Sequence, residues 1–336
     1  QVLMKERFYM YNIDLVYLWC DGKDENFLER KKRYIGSNKC NTESNGKERF
    51  FDNDELKYSL RSVEKYANWI HHIYIVTDRQ RPKWFNSNCK KVTIIDHSTI
   101  LPKELIPCFN STVIERYIAN IPGLSEHFIY GNDDTFFGSE ISPDYFFTNQ
   151  GKPIVKVKKF NDFPYELTTL NIEDVYSKTR FWGKSVINSW KMLMKYWKIN
   201  RVIPYELHHN FDAYLKSEYK EVMNDYKPIF QQSQERFRSK KDINRILFSI
   251  HAVYKGSAVM KIIAQTTKMM KIKSFLFRYK VNSLYVDKKI KSLIVLSLIN
   301  PDLYCINDSG ESNELDNIIE KKLLMKYYPL KSVAEE

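Results

Sequence analysis

Acidic side chains follow two short apolar stretches of this chain, at positions where they could bind a divalent cation. An Asn-Asp-Asp run at 132–134 comes directly after the apolar residues 127–130, and Asp21 and Asp24 come after the apolar residues 13–19. Carboxylate oxygens suit Mg²⁺ and Mn²⁺, and Mg²⁺ is commonly shared between one or two carboxylates and substrate phosphates. The alternative is a pair of Asp-rich turns, because Asp, Asn and Gly favour turns for local reasons. The sequence leaves both explanations open.

Short apolar strands alternate with helical stretches over residues 12–150, which predicts a mostly parallel, doubly wound, Rossmann-like α/β sheet. One helix is predicted to be capped by Asp52 or Asn53, with Glu55 placed for a capping box. Open α/β sheets bind ligands just beyond the carboxyl ends of their strands. We therefore expect both acidic runs at one edge of the sheet, in a site for a metal and a nucleotide phosphate. The sequence has neither a GxGxxG motif nor a P-loop, so metal and basic side chains must hold the phosphates.

Residues 151–300 are predicted to be mostly helical, basic and aromatic, and 301–336 to form a C-terminal segment that returns to the site. Between 178 and 201 there is no Asp or Glu, and aromatic residues alternate with lysines there. Such a stretch is typical of a membrane-surface helix or of a strip that binds an anionic polymer, although a solvated basic face would look similar. The lysines predicted to bind polymer, called here the lysine strip, are Lys184, Lys191, Lys195 and Lys198.

The composition narrows the class of protein. Of 336 residues, 43% are hydrophobic and 15% aromatic, which is enough for a substantial core. No apolar run approaches the roughly 18 residues of a membrane span, and no signal peptide is visible. Five cysteines, an odd number without CxxC spacing, fit reduced thiols in a cytosolic protein better than disulfides or a zinc site. Gln1 is not an initiator residue, so we expect an amino-terminally trimmed chain.

Four separated blocks of the sequence resemble the four conserved regions of the Stealth family of hexose-1-phosphate transferases. The first contains IDLVY and DGKD within 13–24. The second begins with RF at 49–50, continues through NDELKYSLRSVEKY and IYIVTD, and closes with the Asn-Asp-Asp run. The third contains His209 and the RFR triplet at 236–238, and the fourth contains CIND at 305–308. Together the blocks span nearly the whole chain.

The resemblance implies a GT-A-like nucleotide-sugar fold and a reaction. Members of this family transfer a sugar-1-phosphate from a UDP-sugar to a hydroxyl group of another sugar, with release of UMP. The implied protein is a capsule polysaccharide polymerase that uses UDP-GlcNAc, Mg²⁺ or Mn²⁺, and an anionic capsule oligosaccharide as acceptor. The implied location is cytoplasmic, with peripheral contact to the inner face of the inner membrane or to a capsule-export complex as a further expectation. No nucleic-acid partner is expected.

The resemblance also implies roles for individual residues. Asp133 and Asp134 would bind the cation, His209 would accept the proton of the acceptor hydroxyl, and the planar fork of Arg238 would clamp phosphate oxygens. The other matched polar residues would bind substrates: Asp21, Asp24, Asn53, Arg61, Asn110, Ser111, Asn132, Lys216, Asn307 and Asp308.

The substrate-binding residues would divide the work. Asp21 or Asp24 would contact the uridine ribose or the cation, and Arg61 would reach a phosphate. Asn307 and Asp308 would close the site from the far end of the chain. Asn110 and Ser111 would bind substrate hydroxyl groups, and Asn132 would orient the neighbouring carboxylates or contact the diphosphate.

Three alternatives accompany this interpretation. His208 could replace His209 as the family histidine, although the spacing to Lys216 favours His209. A metal-dependent glycosyltransferase would use the same acidic strand end but release UDP. A non-enzymatic binder of nucleic acid or membrane is suggested by the net charge of +12, but it leaves the acidic motifs beside strand ends unexplained.

Overall fold

The computed structural model describes residues 11–35, 52–160, 166–263, 270, 275–276, 280–308, 310 and 312–336. Arg49 and Phe50, which open the second matched block, and Cys40 lie outside the described residues. The strands are β1 (Ile13–Leu18), β2 (Ile73–Thr77), β3 (Val92–Asp96), β4 (His127–Asn132), β5 (Thr135–Phe137), β6 (Ile154–Lys159), β7 (Leu167–Thr168), β8 (Arg201–Val202), β9 (Tyr205–Leu207), β10 (Asp212–Leu215), β11 (Val259–Ile262), β12 (Lys280–Asp287) and β13 (Asn300–Asn307).

The helices connect these strands in alternation over the first half of the chain. They are α1 (Glu25–Ile35), α2 (Glu55–Tyr66), α3 (His97–Ile100), α4 (Ser111–Glu115), α5 (Ile172–Lys178), α6 (Phe181–Tyr196), α7 (Lys216–Asp225), α8 (Lys227–Gln231), α9 (Ile246–Lys255), α10 (Ile290–Leu298) and α11 (Glu314–Tyr327). Each helix in the described part of the chain is too short or too polar to cross a membrane.

The central sheet has the strand order β10-β4-β1-β2-β3. Neighbours among β4, β1, β2 and β3 are parallel, and β10 is antiparallel to β4. The prediction of a mostly parallel α/β sheet is therefore confirmed. β1 lies between β2, which follows it in sequence, and β4, so the strand order reverses at β1. Leu18 pairs with Asn132, which places the carboxyl ends of β1 and β4 side by side at this switch point.

Both faces of the central sheet are covered by apolar side chains. Alternate residues of a strand point to opposite faces, and β1 follows this rule. Val16 packs in the hydrophobic cluster on one face, whereas Leu15 and Tyr17 pack in the cluster on the other. Because both faces are buried, the parallel strands read in the sequence as continuous apolar runs, which is the reason they were predictable.

Residues 151–300, which were predicted to be mostly helical, contain α5 to α10, and β6 to β12 also lie in this region. β10 completes the central sheet, β11-β6-β9 forms a second sheet, and β12-β13-β5 forms a third. These strands are short, and several contain lysine or glutamate, so their composition resembles that of surface helices. The third sheet joins the C-terminal β13 to β5, directly after the Asn-Asp-Asp run.

The start of α2 differs from the predicted cap. The helix begins at Glu55, and Asp54, which precedes it, has a left-handed backbone with φ of 68° and no side-chain capping bond. The Asp52 carboxylate accepts the backbone N–H of Asp54 at 3.2 Å, and the Glu55 carboxylate accepts that of Asn53 at 2.5 Å. Asp52 and Asn53 therefore shape the turn before the helix and do not cap it.

A glycine allows the segment that follows β9 to approach the end of β4. A Cβ atom at Gly131 would lie 2.3 Å from the ring of Phe211, which is shorter than any side chain could tolerate. The Phe211 ring stacks on Phe137 with centroids 4.6 Å apart, so moving it away would break this packing. This close approach brings His209, two residues before Phe211, toward the Asn-Asp-Asp run.

Candidate active site

A cleft of about 770 Å³ opens beyond the carboxyl ends of β1 and β4, at the switch point of the sheet. Residues from both halves of the chain line it, so the site is built by the whole fold. Eight of the predicted site residues are among those that line the cleft: Ser111, Asn132, Asp133, Asp134, His209, Arg238, Asn307 and Asp308.

Asp133 and Asp134 form the acidic centre of the cleft. Burial raises the pKa of Asp134 to about 6, and burial together with the charge of Asp134 raises that of Asp133 well above its usual range. Glu55 and Asp52 add further negative charge to this environment. Within the described residues, Oδ1 of Asp134 is buried and has no hydrogen-bond partner. An unsatisfied carboxylate oxygen among crowded acids is the environment that a divalent cation would relieve.

His209 and Cys305 lie next to Asp134. Ligand atoms of these three side chains lie within 4.8 Å of one another. The Cys305 thiol donates a hydrogen bond to the Asp134 carboxylate, and burial raises the pKa of this thiol well above its usual range. The thiol is therefore neutral and acts as a hydrogen-bond donor. Asp134 supplies the oxygen ligand of this cluster, and its carboxylate, not the thiol, suits Mg²⁺ or Mn²⁺.

The structure separates the two candidate histidines. His209 lines the cleft, and its ring packs edge-on against Tyr285 with centroids 5.5 Å apart. His208 is buried outside the cleft lining, and its Nδ1 lies 2.8 Å from the Ser283 hydroxyl. Burial, followed by the charges of Arg245 and Lys158, lowers the pKa of His209 to about 3, so its imidazole is neutral at physiological pH.

Arg238 reaches the cleft through a network centred on Asn110. Its Nη2 donates to the Ser111 hydroxyl at 2.6 Å, and both residues line the cleft. Asn110 is fully buried outside the lining, and its amide donates to the Asp242 carboxylate at 2.9 Å and to the Phe237 carbonyl at 3.2 Å. Asn110 therefore positions the segment that carries Arg238, in place of the substrate contact that was predicted for it.

Lys158 and Arg245 also line the cleft and were not identified from the sequence. Lys158 forms an ion pair with Glu206 at 2.9 Å. Arg245 forms an ion pair with Asp212 at 3.0 Å and lies 3.7 Å from Glu115. Together with Arg238 they add positive charge to the lining of the cleft. The local sequence around each residue has no motif, and only the pairing of distant strands and helices brings them here.

A buried ion cluster holds the C-terminal segment against the cleft. Lys288 is 2% exposed, and its ammonium lies 2.6 Å from Glu55, 3.0 Å from Glu320 and 3.8 Å from Asp308. Asp308 also accepts the backbone N–H of Gly310 at 2.8 Å. Both Asp308 and its neighbour Asn307 line the cleft, as a segment that closes the site would.

Asp21 and Asp24 do not line the cleft, and local backbone groups satisfy both carboxylates. Asp21 accepts the N–H of Lys23 at 2.8 Å, which is an Asx-turn. Asp24 accepts the N–H of Phe27 at 2.6 Å, at the start of α1. These carboxylates therefore have local roles, in a turn and at the start of α1, and their contact with ribose or cation stays a prediction.

Three more predicted substrate ligands have structural partners away from the cleft lining. The guanidinium of Arg61 forms two bonds with the Glu335 carboxylate, at 2.7 and 2.6 Å, so it fixes the C-terminus instead of a phosphate. The amide of Asn53 donates to Asn317 on α11 at 3.0 Å. The ammonium of Lys216 donates to the Leu124 carbonyl at 2.9 Å, which holds α7 against the core.

Lys184, Lys191 and Lys195 of the lysine strip lie on α6, and Lys198 follows the end of this helix. One face of α6 packs in the core. Trp190, Met192 and Met194 are each at most 5% exposed, so they cannot insert into a membrane surface as predicted for such a helix. Lys191 forms an ion pair with Glu173 on α5 at 2.8 Å, so an acid from the preceding helix partly neutralises the strip. Polymer binding by the strip stays a prediction.

Comparisons with known proteins agree with this geometry. Residues 49–155 match the family model described as Stealth protein CR2, conserved region 2. The chain is 30% identical to a capsular polysaccharide phosphotransferase of Haemophilus influenzae over 90% of this chain and 79% of that protein. The chain therefore belongs to the Stealth family of capsular polysaccharide phosphotransferases, and the resemblance seen in its four blocks is confirmed.

Other matches are partial or distant. An exopolysaccharide phosphotransferase of Streptomyces coelicolor is 32% identical over 97% of this chain, but the chain spans about half of that protein, 52%. A solved galactosyltransferase, LgtC in complex with donor and acceptor sugar analogs, aligns over 93% of this chain and 95% of its own. Its identity to this chain is 8% and the TM-score is 0.41, which is too low to indicate a shared function.

Proposed function

We propose that this protein transfers a sugar-1-phosphate from a UDP-sugar to a hydroxyl group of an acceptor sugar chain and releases UMP. The sugar-1-phosphate that we propose is GlcNAc-1-phosphate. The observation that supports the proposal is the composition of the cleft. Neutral His209 and the acidic pair Asp133 and Asp134 line the cleft together with basic side chains. The cleft lies at the switch point of a mostly parallel α/β sheet, in a chain of the Stealth family.

Charge neutralisation is the main task of such a site, because phosphoryl transfer depends on positioning and electrostatics more than on covalent chemistry. Asp133 and Asp134 would hold Mg²⁺ or Mn²⁺, which supplies positive charge to the donor diphosphate when it is bound. Arg238 and Arg245 would bind the remaining phosphate oxygens. The unpartnered oxygen of Asp134 is the feature that favours a cation at this position.

His209 would take the proton of the acceptor hydroxyl. Its imidazole is neutral because burial and nearby cations lower its pKa to about 3, so it is a weak base in the free protein. A bound diphosphate would neutralise Arg245 and Arg238, whose charges add to burial in lowering this pKa, and the pKa of His209 would rise toward the range of an effective base. Proton transfer would then become favourable only when the donor is in place.

The step balances without any further reagent. The acceptor oxygen forms a bond to the β-phosphorus of the donor, and the bond from that phosphorus to the oxygen bridging to UMP breaks. The proton of the hydroxyl passes to Nδ1 or Nε2 of His209, and UMP leaves with the bridging oxygen. The anomeric carbon–oxygen bond of the transferred sugar stays intact, and the product is a phosphodiester.

A metal-dependent glycosyltransferase is the competing function, because the same acidic strand end could bind a UDP-sugar whose anomeric bond breaks. Purified protein should be incubated with an acceptor oligosaccharide, Mg²⁺ and each of a panel of UDP-sugars, and the nucleotide product identified by chromatography. The proposal expects UMP and a new ³¹P resonance of a phosphodiester. UDP as the product, with no phosphodiester, would contradict it.

The partners and location belong to the same proposal. The acceptor would be an anionic capsule oligosaccharide, and the lysine strip would bind it through several phosphates at once. A cytoplasmic location, with contact to the inner membrane or to a capsule-export complex, would follow from this role.

A further inference from the structure

An aromatic residue at the cleft has no part in the chemistry described above. Trp182, in the first turn of α6, lines the cleft and is 40% exposed. All six tryptophans lie in the described part of the chain, and the others are buried or half-buried. The Trp182 ring stacks on Phe160, with centroids 5.8 Å apart and an angle of 23° between the planes. A large, supported and exposed apolar ring at a cleft marks a binding surface.

A continuous path leads from His209 to this ring. β6 pairs antiparallel with β9, and Lys158 on β6 stands opposite Glu206 on β9. Lys158 and Glu206 both line the cleft, and β9 ends two residues before His209. Phe160 follows Lys158 by two residues, just past the end of β6, and its N–H donates to the Pro204 carbonyl at 3.3 Å, so the chain reaches it about 6.6 Å further along. The order along this wall is therefore His209, the Lys158–Glu206 pair and then Trp182 on Phe160.

The chemistry along this wall matches the surface of a sugar. A pyranose has apolar C–H faces, which pack on aromatic rings, and hydroxyl groups at its edge, which bind charged side chains. Trp182 offers the flat face, whereas Lys158 offers a donor and Glu206 an acceptor. Lys158 lies about 6.6 Å along the chain from Phe160, which supports the Trp182 ring. This spacing is close to the size of one sugar unit.

We infer that Trp182, supported by Phe160, is the platform on which the growing end of the acceptor packs a hexose or N-acetylhexosamine ring. This inference rests on the proposed function, since the hydroxyl that attacks must lie at His209. The sugar that carries it then extends away from the acidic centre, over Lys158 and Glu206, onto Trp182. The donor phosphates occupy the opposite direction, between Asp133 and Arg238.

The platform and the lysine strip are separate surfaces, although both belong to α6. Trp182 and Lys184 are two residues apart, which places their side chains about 200° apart around a helix axis. Lys184 and Lys191 instead pack over Tyr176, at 5.3 and 4.3 Å from its ring centre. Trp182 can therefore be replaced without altering the strip, and the two can be tested independently.

The test compares Trp182→Ala with Trp182→Phe, which keeps a flat ring, and with Trp197→Phe, a control at the other end of α6 and outside the cleft lining. Acceptor and donor KM values are measured with a trimer of GlcNAc-1-phosphate and UDP-GlcNAc. Trp182→Ala should raise the acceptor KM about tenfold and leave the donor KM within about twofold, because only the acceptor loses a ring contact. Trp182→Phe should recover most of the loss, and Trp197→Phe should behave as the unaltered protein.

Direct binding separates this inference from the proposed function. Titration of the same trimer into the protein without donor should change tryptophan fluorescence, and Trp182→Phe should abolish most of that change. If transfer yields no UMP but binding still depends on Trp182, the proposed function fails and the platform stands. If UMP is released and Trp182→Ala leaves the acceptor KM unchanged, or raises both KM values equally, the platform is disproved. Absence of trimer binding to the unaltered protein would also overturn it.

Discussion

Two acidic runs follow neighbouring parallel strands and look alike in the sequence, yet the fold uses them differently. Asp21 and Asp24, after β1, have their carboxylates satisfied by backbone N–H groups two or three residues away. Asp133 and Asp134, after β4, are crowded in the cleft, and one oxygen of Asp134 is unpartnered within the described residues. An acid satisfied by its own turn contributes to folding, whereas an acid left unsatisfied in a cleft is available to a ligand.

The largest expected difference between the two runs is in activity. Asp134→Asn should lower turnover at least about 10³-fold, because it removes a charge that would hold the proposed cation. Asp21→Asn should leave turnover within about twofold, since its role is a local turn. The measurement is UMP release by both variants, with circular dichroism to show that each is folded, and EDTA should inactivate the unaltered protein. Full activity in EDTA would end the assignment of a metal to Asp133 and Asp134.

His209 and His208 provide the next test, because these adjacent histidines differ only in their position relative to the cleft. His209→Ala should lower turnover about 10²-fold, the usual scale for loss of a general base. His208→Asn should have a smaller effect, since His208 contacts Ser283 and does not line the cleft. Turnover at saturating substrate is the readout. Greater sensitivity at His208 would identify His208, and not His209, as the proton acceptor.

The pH dependence of cation binding tests the assignment of a cation to the run after β4. Burial raises the pKa of Asp134 to about 6, so a cation must displace a proton from it below that pH. The affinity for Mn²⁺ should therefore fall about tenfold for each pH unit below about 6. Calorimetric titration of the protein and of Asp134→Asn from pH 5 to 8 measures this. The variant should bind weakly with a shallower pH dependence, and an equal slope in both would contradict the assignment.

The same raised pKa affects the stability of the metal-free protein. Because the folded-state pKa of Asp134 lies above the 3.8 of an unperturbed aspartate, its cost to stability is absent below about pH 4. The cost develops between about pH 4 and 6, where only the unfolded state loses its proton, and is complete at higher pH. Asp134→Asn should therefore be more stable than the unaltered protein at pH 7 without metal, although it is inactive. Thermal unfolding at pH 4 and pH 7 tests this sign.

Asp24 should show the smallest effect, and on stability only. Asp24→Ala removes a carboxylate that accepts an N–H at the start of α1, which should cost about 1 kcal/mol in the free energy of unfolding. Turnover per folded molecule should stay unchanged. Urea denaturation combined with UMP release separates the two quantities. A loss of turnover without a loss of stability would return Asp24 to the substrate site.

The predictable part of the molecule is the part whose signals are local. The buried parallel strands appear as apolar runs, and the acidic residues after β4 follow directly from one of them. The strands within residues 151–300 were not predicted, because short strands with lysines, such as β6, have the composition of surface helices. Arg61 failed as a phosphate ligand because its partner, Glu335, lies far away in the sequence.

The sequence by itself determined the family, the mostly parallel sheet and the Asn-Asp-Asp run, because each depends on residues close together in the chain. Only the tertiary structure decided which polar residues share the cleft. It distinguished His209 from His208, and it added Lys158, Arg245 and Trp182 to the site. The physical reason is that burial and long-range pairing determine whether a polar side chain is already satisfied, and neither can be read from its immediate neighbours.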